Sequence, residues 1–158
     1  MAKATPTDHQ AAVFAAVDPG NLLITLQSAA QWRARGFLAG LVFMGYGKIR
    51  VTYARRSIGL QEKLYAQGRS PDECAAAGVN RHLAQPGAKK VTWTLPKDSY
   101  HVRALAFDLH IAEYSKEDWQ VFGKLGKWFG FEWGGDWDVR DWGHFQLVSE
   151  NGQRRLGL

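Results

Sequence analysis

The chain has 158 residues, of which 46% are hydrophobic and 22% charged, and a formal net charge of +5. That size suits one domain able to bury its own core. The lone Cys74 excludes an internal disulfide or a cysteine zinc motif, and the apolar run from Gly36 to Gly47 is too short to span a bilayer.

The positive balance suits nucleic acid, an anionic cell envelope or plain solubility. The Lys/Arg pairs Arg55-Arg56, Lys89-Lys90 and Arg154-Arg155 form no long basic run or DNA-binding motif, so no nucleic-acid partner is expected, whereas an anionic wall polymer is compatible. The N-terminus lacks a basic region leading into an apolar core. No signal peptide is therefore expected, and the chain is expected to be a soluble protein made in the cytoplasm, without stable membrane insertion.

In chain order, residues 1 to about 9 read as a flexible leader and Ala11 to Val17 as a short helix ended by Asp18-Pro19-Gly20. Leu23, Leu26, Ala29, Ala30 and Phe37 then recur at near-helical spacing, although Gly36 and Gly40 weaken any single long helix; this part reads as scaffold. Lys48 to Tyr53 alternates as a strand. Ser57 is placed to cap a helix over Gly59–Gln67 with Leu60 and Leu64 on one face, and Ser70-Pro71-Asp72-Glu73 opens a short helix through Ala77 that Gly78 ends. Asn80 to Ala88 reads as loop.

Lys89 to Leu95 alternates Val91, Trp93 and Leu95 with Lys90, Thr92 and Thr94, which predicts a strand. Leu105 to Ile111 predicts another, with Leu105, Phe107 and Leu109 on one face and Ala106, Asp108 and His110 on the other. Ser115-Lys-Glu-Asp118 is a capping-box pattern before Trp119, Phe122, Leu125 and Phe129, an amphipathic helix closed by Gly130. Glu132 to Asp136 reads as a Gly-rich turn, Phe145 to Val148 as the last strand, and Asn151 to Leu158 as a turn and short basic tail. The fold class expected is α+β, a small antiparallel sheet with helices on one face and the site on the other.

The chemistry concentrates after the Pro96-Lys97-Asp98 turn. His101 precedes the strand that carries Asp108 and can fold back over Ala106 towards it, and a neighbouring strand would bring His144. Two imidazoles and one carboxylate leaving an open position form the ligand set of a catalytic zinc site. Asp141, three residues before His144, is placed to take a proton from water held there; Asp136 and Asp138 compete for that role. His110 shares the Asp108 face and reads as solvated. Four tryptophans between Trp128 and Trp142 fill a core or line a cleft.

Ser99-x-His101, Ala106-x-Asp108 and the distant Asp141-x-x-His144, preceded by Arg56-Ser57-x-x-x-Gln61-x-x-Leu64-Tyr65, resemble the zinc D-alanyl-D-alanine and L-alanyl-D-glutamate peptidases (LAS-type metallopeptidases). These are relatives of the lysostaphin-type and hedgehog domains, and phage endolysins lie nearest. The resemblance covers roughly residues 48 to 148 of what is expected to be one peptidase domain over residues 1–158. It implies a hedgehog-like fold, Zn2+ on His101, Asp108 and His144, Asp141 as general base, Arg56 on the substrate or the developing oxyanion, and Ser99 near the substrate.

It further implies hydrolysis of the L-alanyl-D-glutamate bond of peptidoglycan stem peptides by a monomeric bacteriolytic endolysin, delivered to the wall by a holin. A D-alanyl-D-alanine carboxypeptidase and a non-hydrolytic zinc-binding module are the alternatives. Arg55 blurs the register of Arg56, Ser99 also suits a turn cap, and Gln61 reads as structural. Three positions depart from the common pattern. Ala104 stands where Gly is frequent, predicting an ordinary backbone there; Asp141 stands where many members carry Glu; and Trp142 replaces the His of lysostaphin-type relatives.

Overall fold

The computed structural model describes residue 12 and residues 15–110 and 114–148. The leader at 1–9, the start of the first short helix, Ile111 and the tail from Asn151 lie outside them. Residues 15–17 are helical, and the Asp18 carboxylate caps the next turn by accepting from the backbone N–H of Leu22 and Leu23 at 2.7 and 2.9 Å.

Helix α1 spans Ser28–Phe43 without a break, contrary to the weakening expected of Gly36 and Gly40. The reason is packing. A Cβ on Gly36 would lie 2.6 Å from the Phe129 ring, and one on Gly40 would lie 3.2 Å from Leu125. The two glycines thus let the helix that ends at Trp128 approach closely, which offsets their weak helix propensity. That helix, α4 (Lys116–Trp128), starts from the Ser115–Asp118 capping box and buries Phe122, Gly123 and Gly126. Gly130 follows with φ of 88°.

Strands β1 (Arg50–Tyr53), β2 (Ala106–His110), β3 (Glu132–Trp133) and β4 (His144–Gln146) form one antiparallel sheet in the order β1-β2-β4-β3. The fold is thus α+β with a small antiparallel sheet and flanking helices, as expected. Part of the predicted Glu132–Asp136 turn is instead β3, because Trp133 pairs with Phe145 across the sheet; a short 3-10 turn follows at Gly134–Asp136.

Phe107 and Phe145 sit opposite one another, stacked at 5.6 Å between ring centroids, and both meet Phe37 of α1. The helix side of the sheet is therefore the main core, where Ile49, Val51, Leu109, Trp133 and Leu147 are also buried.

Helix α2 (Ile58–Ala66) is capped by the Ser57 hydroxyl, which accepts from Leu60 N–H, and α3 (Pro71–Ala76) by the Ser70–Glu73 capping box. In α2 the buried positions are Gln61, Tyr65 and Ala66, the first two each one residue beyond the expected Leu60 and Leu64. Tyr65, Ala66, Cys74 and Val79 make a second, smaller core. The predicted strand at Lys89–Leu95 is not formed: among the described residues no strand pairs with it, and Val91 and Trp93 remain 49% and 65% exposed. Among the described residues no helix is long and apolar enough to cross a membrane.

Candidate active site

Asp108 on β2 and His144 on β4 are register partners, so their side chains leave the same face of the sheet. His101 reaches them from a tight reversal. Arg103 N–H donates to Ser99 O, Ala104 N–H to His101 O and Leu105 N–H to Tyr100 O, at 3.1, 3.1 and 2.9 Å. Ala104 closes this reversal with φ of 58°, in the left-handed region. The ordinary backbone expected for an alanine there is wrong: the turn demands the conformation that glycine adopts freely, and alanine holds it at about 1–2 kcal/mol of strain.

Hydrogen bonding orients both imidazoles. His101 Nδ1–H donates to the Ala54 carbonyl at 2.7 Å, which leaves Nε2 bare. His144 Nε2–H donates to Gln146 Oε1 at 3.1 Å, which leaves Nδ1 bare. The two bare nitrogens and Asp108 Oδ1 form a triangle with edges of 3.3 Å between the nitrogens, 3.2 Å from His101 to the carboxylate and 2.9 Å from His144. With both rings neutral in these tautomers no proton lies between the lone pairs, so the arrangement attracts a cation, a proton or a metal ion.

Ligands about 2.0–2.1 Å from a tetrahedral ion lie about 3.3 Å from one another, and the triangle is close to that spacing. His101, Asp108 and His144 are thus a donor set able to hold a metal ion, and the Ala54 carbonyl and Gln146 are the outer partners that fix the rings.

Without a metal ion, protons shared with the Asp108 carboxylate take the cation's part. Burial alone would raise the Asp108 carboxyl, but hydrogen bonds and charge from both histidines outweigh it and hold the group well below the usual carboxylate range. Burial would lower His144; its bond to Asp108 and the Asp108 charge, with Gln146 and Asp141 assisting, raise it instead.

The triangle opens into a cleft of about 580 Å³ whose lining includes Arg56, Ser99, Trp137 and Asp141. Arg56 N–H donates to His101 O at 3.1 Å, tying the end of β1 to the reversal. Its Nη1 donates to Gln61 Oε1 at 2.7 Å, and its Nη2 lies 3.7 Å from Asp108 Oδ2. Its Nε is buried without a partner among the described residues. Arg55 does not line the cleft, so Arg56 holds that register alone. Gln61, 1% exposed, is structural in the sense that it orients this guanidinium.

Asp141 keeps solvent contact, yet the cleft walls strip enough water from its carboxyl to push it up, helped by the Asp108 charge and opposed chiefly by His144. Its rivals lie elsewhere: Asp136 is paired with Lys127 at 2.7 Å, and Asp138 is exposed and outside the cleft lining. Ser99 is buried in the cleft wall and His110 is exposed on the strand's far end.

Two residues here were not singled out by sequence. Gln146 lies two positions after His144 on the same strand face, a spacing that could have found it. Trp137 packs its ring 5.0 Å from that of His144 and donates from Nε1 to Glu132 at 2.8 Å; nothing in a run of tryptophans separates it from Trp133, which is core.

A carboxylate-and-imidazole metal-ion donor set in an open cleft that a second carboxylate, Asp141, also lines is the arrangement of metal-assisted hydrolases. No family model matches the chain. It is 29% identical over 114 residues to the peptidoglycan L-alanyl-D-glutamate endopeptidase CwlK of Bacillus subtilis (strain 168), an alignment taking in 62% of this chain and 59% of that protein. The chain thus spans less than two thirds of that relative's length.

The crystal structure of the Serratia marcescens L-Ala D-Glu endopeptidase ChiX is similar with a TM-score of 0.45 at 19% identity, over 82% of this chain and 85% of that one. The relative in Bacillus bears out the resemblance to the D-alanyl-D-alanine and L-alanyl-D-glutamate peptidases.

Proposed function

We propose that this chain is a zinc-dependent peptidoglycan endopeptidase, a single peptidase domain that hydrolyses the L-alanyl-D-glutamate bond of the stem peptide and acts as a bacteriolytic endolysin. The observation that carries the reading is the convergence of His101 Nε2, Asp108 Oδ1 and His144 Nδ1 within 3.3 Å of one another in the cleft that Asp141 and Arg56 also line. The Bacillus relative supports the substrate class.

Zinc held by these three side chains would supply Lewis acidity, polarising the scissile carbonyl and acidifying water. The residues of the chain do the rest. Asp141 accepts the proton of the attacking water and returns it to the leaving amine; its raised affinity for protons brings it nearer to neutral operation. Arg56, braced by Gln61, presents a fixed positive charge to the oxyanion or to a substrate carboxylate. Ser99 lines the cleft and is placed to hydrogen-bond near the metal or the substrate. Action on the wall would follow release from the cytoplasm with the help of a holin.

The test is incubation of the protein with peptidoglycan, with and without chelator and zinc add-back, beside Asp141→Ala, with mass spectrometry of the new amino termini. New D-glutamate or isoglutamine amino termini that vanish with chelator and in the variant support the reading. Released D-alanine makes the protein a carboxypeptidase, and zinc binding without any cleavage makes it a binding module.

A further inference from the structure

The segment that the sequence predicts as a strand, Lys89 to Leu95, is the part of the fold whose prediction and structure disagree most. Its alternation and its β-branched and aromatic residues favour pairing, yet it joins no sheet. Residues 89–93 nevertheless run without turn or bend, and Val91, Thr92 and Thr94 line the cleft that holds His101, Asp108 and His144.

Its backbone is satisfied on one side only. The Thr92 carbonyl accepts from Arg69 Nη2 at 2.8 Å, and Thr94 N–H donates to Thr92 Oγ1 at 3.2 Å. Arg69 is itself 5% exposed, stacked on Tyr65 at 3.7 Å and bonded to the Tyr65 carbonyl, so it pins the segment to α2. In extended chain a residue's N–H and C=O point to one side and its neighbour's to the other. Val91 and Trp93 flank Thr92, whose carbonyl Arg69 takes, and among the described residues neither makes a backbone hydrogen bond; Val91 lines the cleft and Trp93 lies just outside its lining. Free strand edges with apolar side chains are normally blunted or covered; this one is left open beside a cleft.

We propose that the missing strand partner is the substrate: the stem peptide binds by main-chain hydrogen bonds to Val91 and Trp93, as a strand added to a preformed edge. This inference rests on the proposed peptidase reading. In strand addition main-chain hydrogen bonds supply affinity, and pockets for side chains supply the choice of residue. Arg69 is in this scheme a positioning residue that keeps the edge straight.

The experiment uses the zinc-loaded full chain and a synthetic stem peptide. Amide hydrogen exchange at Val91 and Trp93 is measured in the Asp141→Asn variant with and without peptide, alongside kcat and KM for Trp93→Pro in the otherwise native chain. Proline removes the N–H of residue 93 at a position where the structure uses no hydrogen bond, so melting temperature should hold. We expect exchange at both amides to slow at least about tenfold with peptide, and Trp93→Pro to raise KM about tenfold with little change in kcat. Cleavage of the peptide with unprotected amides and an unaltered KM in Trp93→Pro overturns this inference and leaves the peptidase reading standing. Absence of both cleavage and binding overturns the two together.

Discussion

The two sides of the cleft are built differently. The side that carries His101, Asp108 and His144 stands on the main core, with Phe37, Phe107, Phe145 and Trp133 fully buried beneath the sheet. The facing wall, from α2 to Leu95, stands on Tyr65, Ala66, Cys74 and Val79, supplemented by the buried cation of Arg69. A metal site needs donor atoms fixed to fractions of an ångström, and paired strands over aromatic packing provide that. A wall that carries none of the donors needs only to be held in place, and local opening is easiest where few apolar groups are buried.

The largest test of this contrast acts on the donors themselves. Asp108→Ala should abolish both metal binding and hydrolysis, since it leaves two imidazoles without the carboxylate that balances the ion. Gln146→Leu, which only frees the His144 ring, should weaken metal binding by about 10–100-fold and leave the fold intact. Competition with a chromophoric chelator measures both, and equal effects of the two substitutions would contradict the distinction between ligand and outer partner.

Core substitutions should separate the two sides. Phe145→Ala removes a fully buried ring next to His144 and should cost about 3–5 kcal/mol, with metal affinity falling as the sheet loosens. Cys74→Ser places a hydroxyl in the smaller core and should cost about 1–3 kcal/mol. Because Cys74 lies under the wall alone, that change should raise KM and spare metal affinity. Denaturant unfolding with calorimetric metal titration checks both, and loss of metal affinity in Cys74→Ser would show that the two cores act as one.

The contrast also governs what the sequence revealed. The three donors were legible because each is tied to local features: a turn before His101, alternation around Asp108, and a strand just after His144. Elements on the main core were legible too, since burial enforces the apolar period that sequence displays. The failures have a common cause in contacts between distant residues. Gly36 and Gly40 looked like weak points of the helix until Phe129 and Leu125 came to lie against them. Lys89–Leu95 has a strand's pattern without a strand partner within the described chain. Trp137 acquires its place only when residues 132–144 fold across the end of the sheet.

Ala104 offers a smaller test, on the donor side. Ala104→Gly relieves the left-handed strain of about 1–2 kcal/mol but adds about 0.4–1 kcal/mol of chain entropy to the unfolded state, so a net gain of about 0.5–1 kcal/mol is expected. Thermal unfolding at matched metal loading reads it. A loss of stability would mean that the alanine methyl, which is buried, contributes more by packing than the backbone strain removes.

The smallest effect belongs to the wall and depends on pH. Glu73 closes the capping box of α3 by accepting from Ser70 N–H at 2.7 Å, and that backbone bond, opposed by some desolvation and aided by the Ser70 side chain, Lys90 and Arg69, lowers its pKa. A carboxyl with a folded pKa below its unfolded value, about 4.3 for glutamate, stabilises the fold fully above that unfolded value and loses the contribution as pH falls through the folded pKa. Glu73→Gln keeps a capping-box side chain but has no charge to titrate. The native chain should therefore unfold at a higher temperature than Glu73→Gln at neutral pH, and the two melting curves should converge once the pH has fallen below the lowered pKa of Glu73. The same substitution should leave metal affinity unchanged at neutral pH, because α3 rests on the smaller core and touches none of the donors. A gap that persists in acid would assign the Glu73 effect to shape rather than charge.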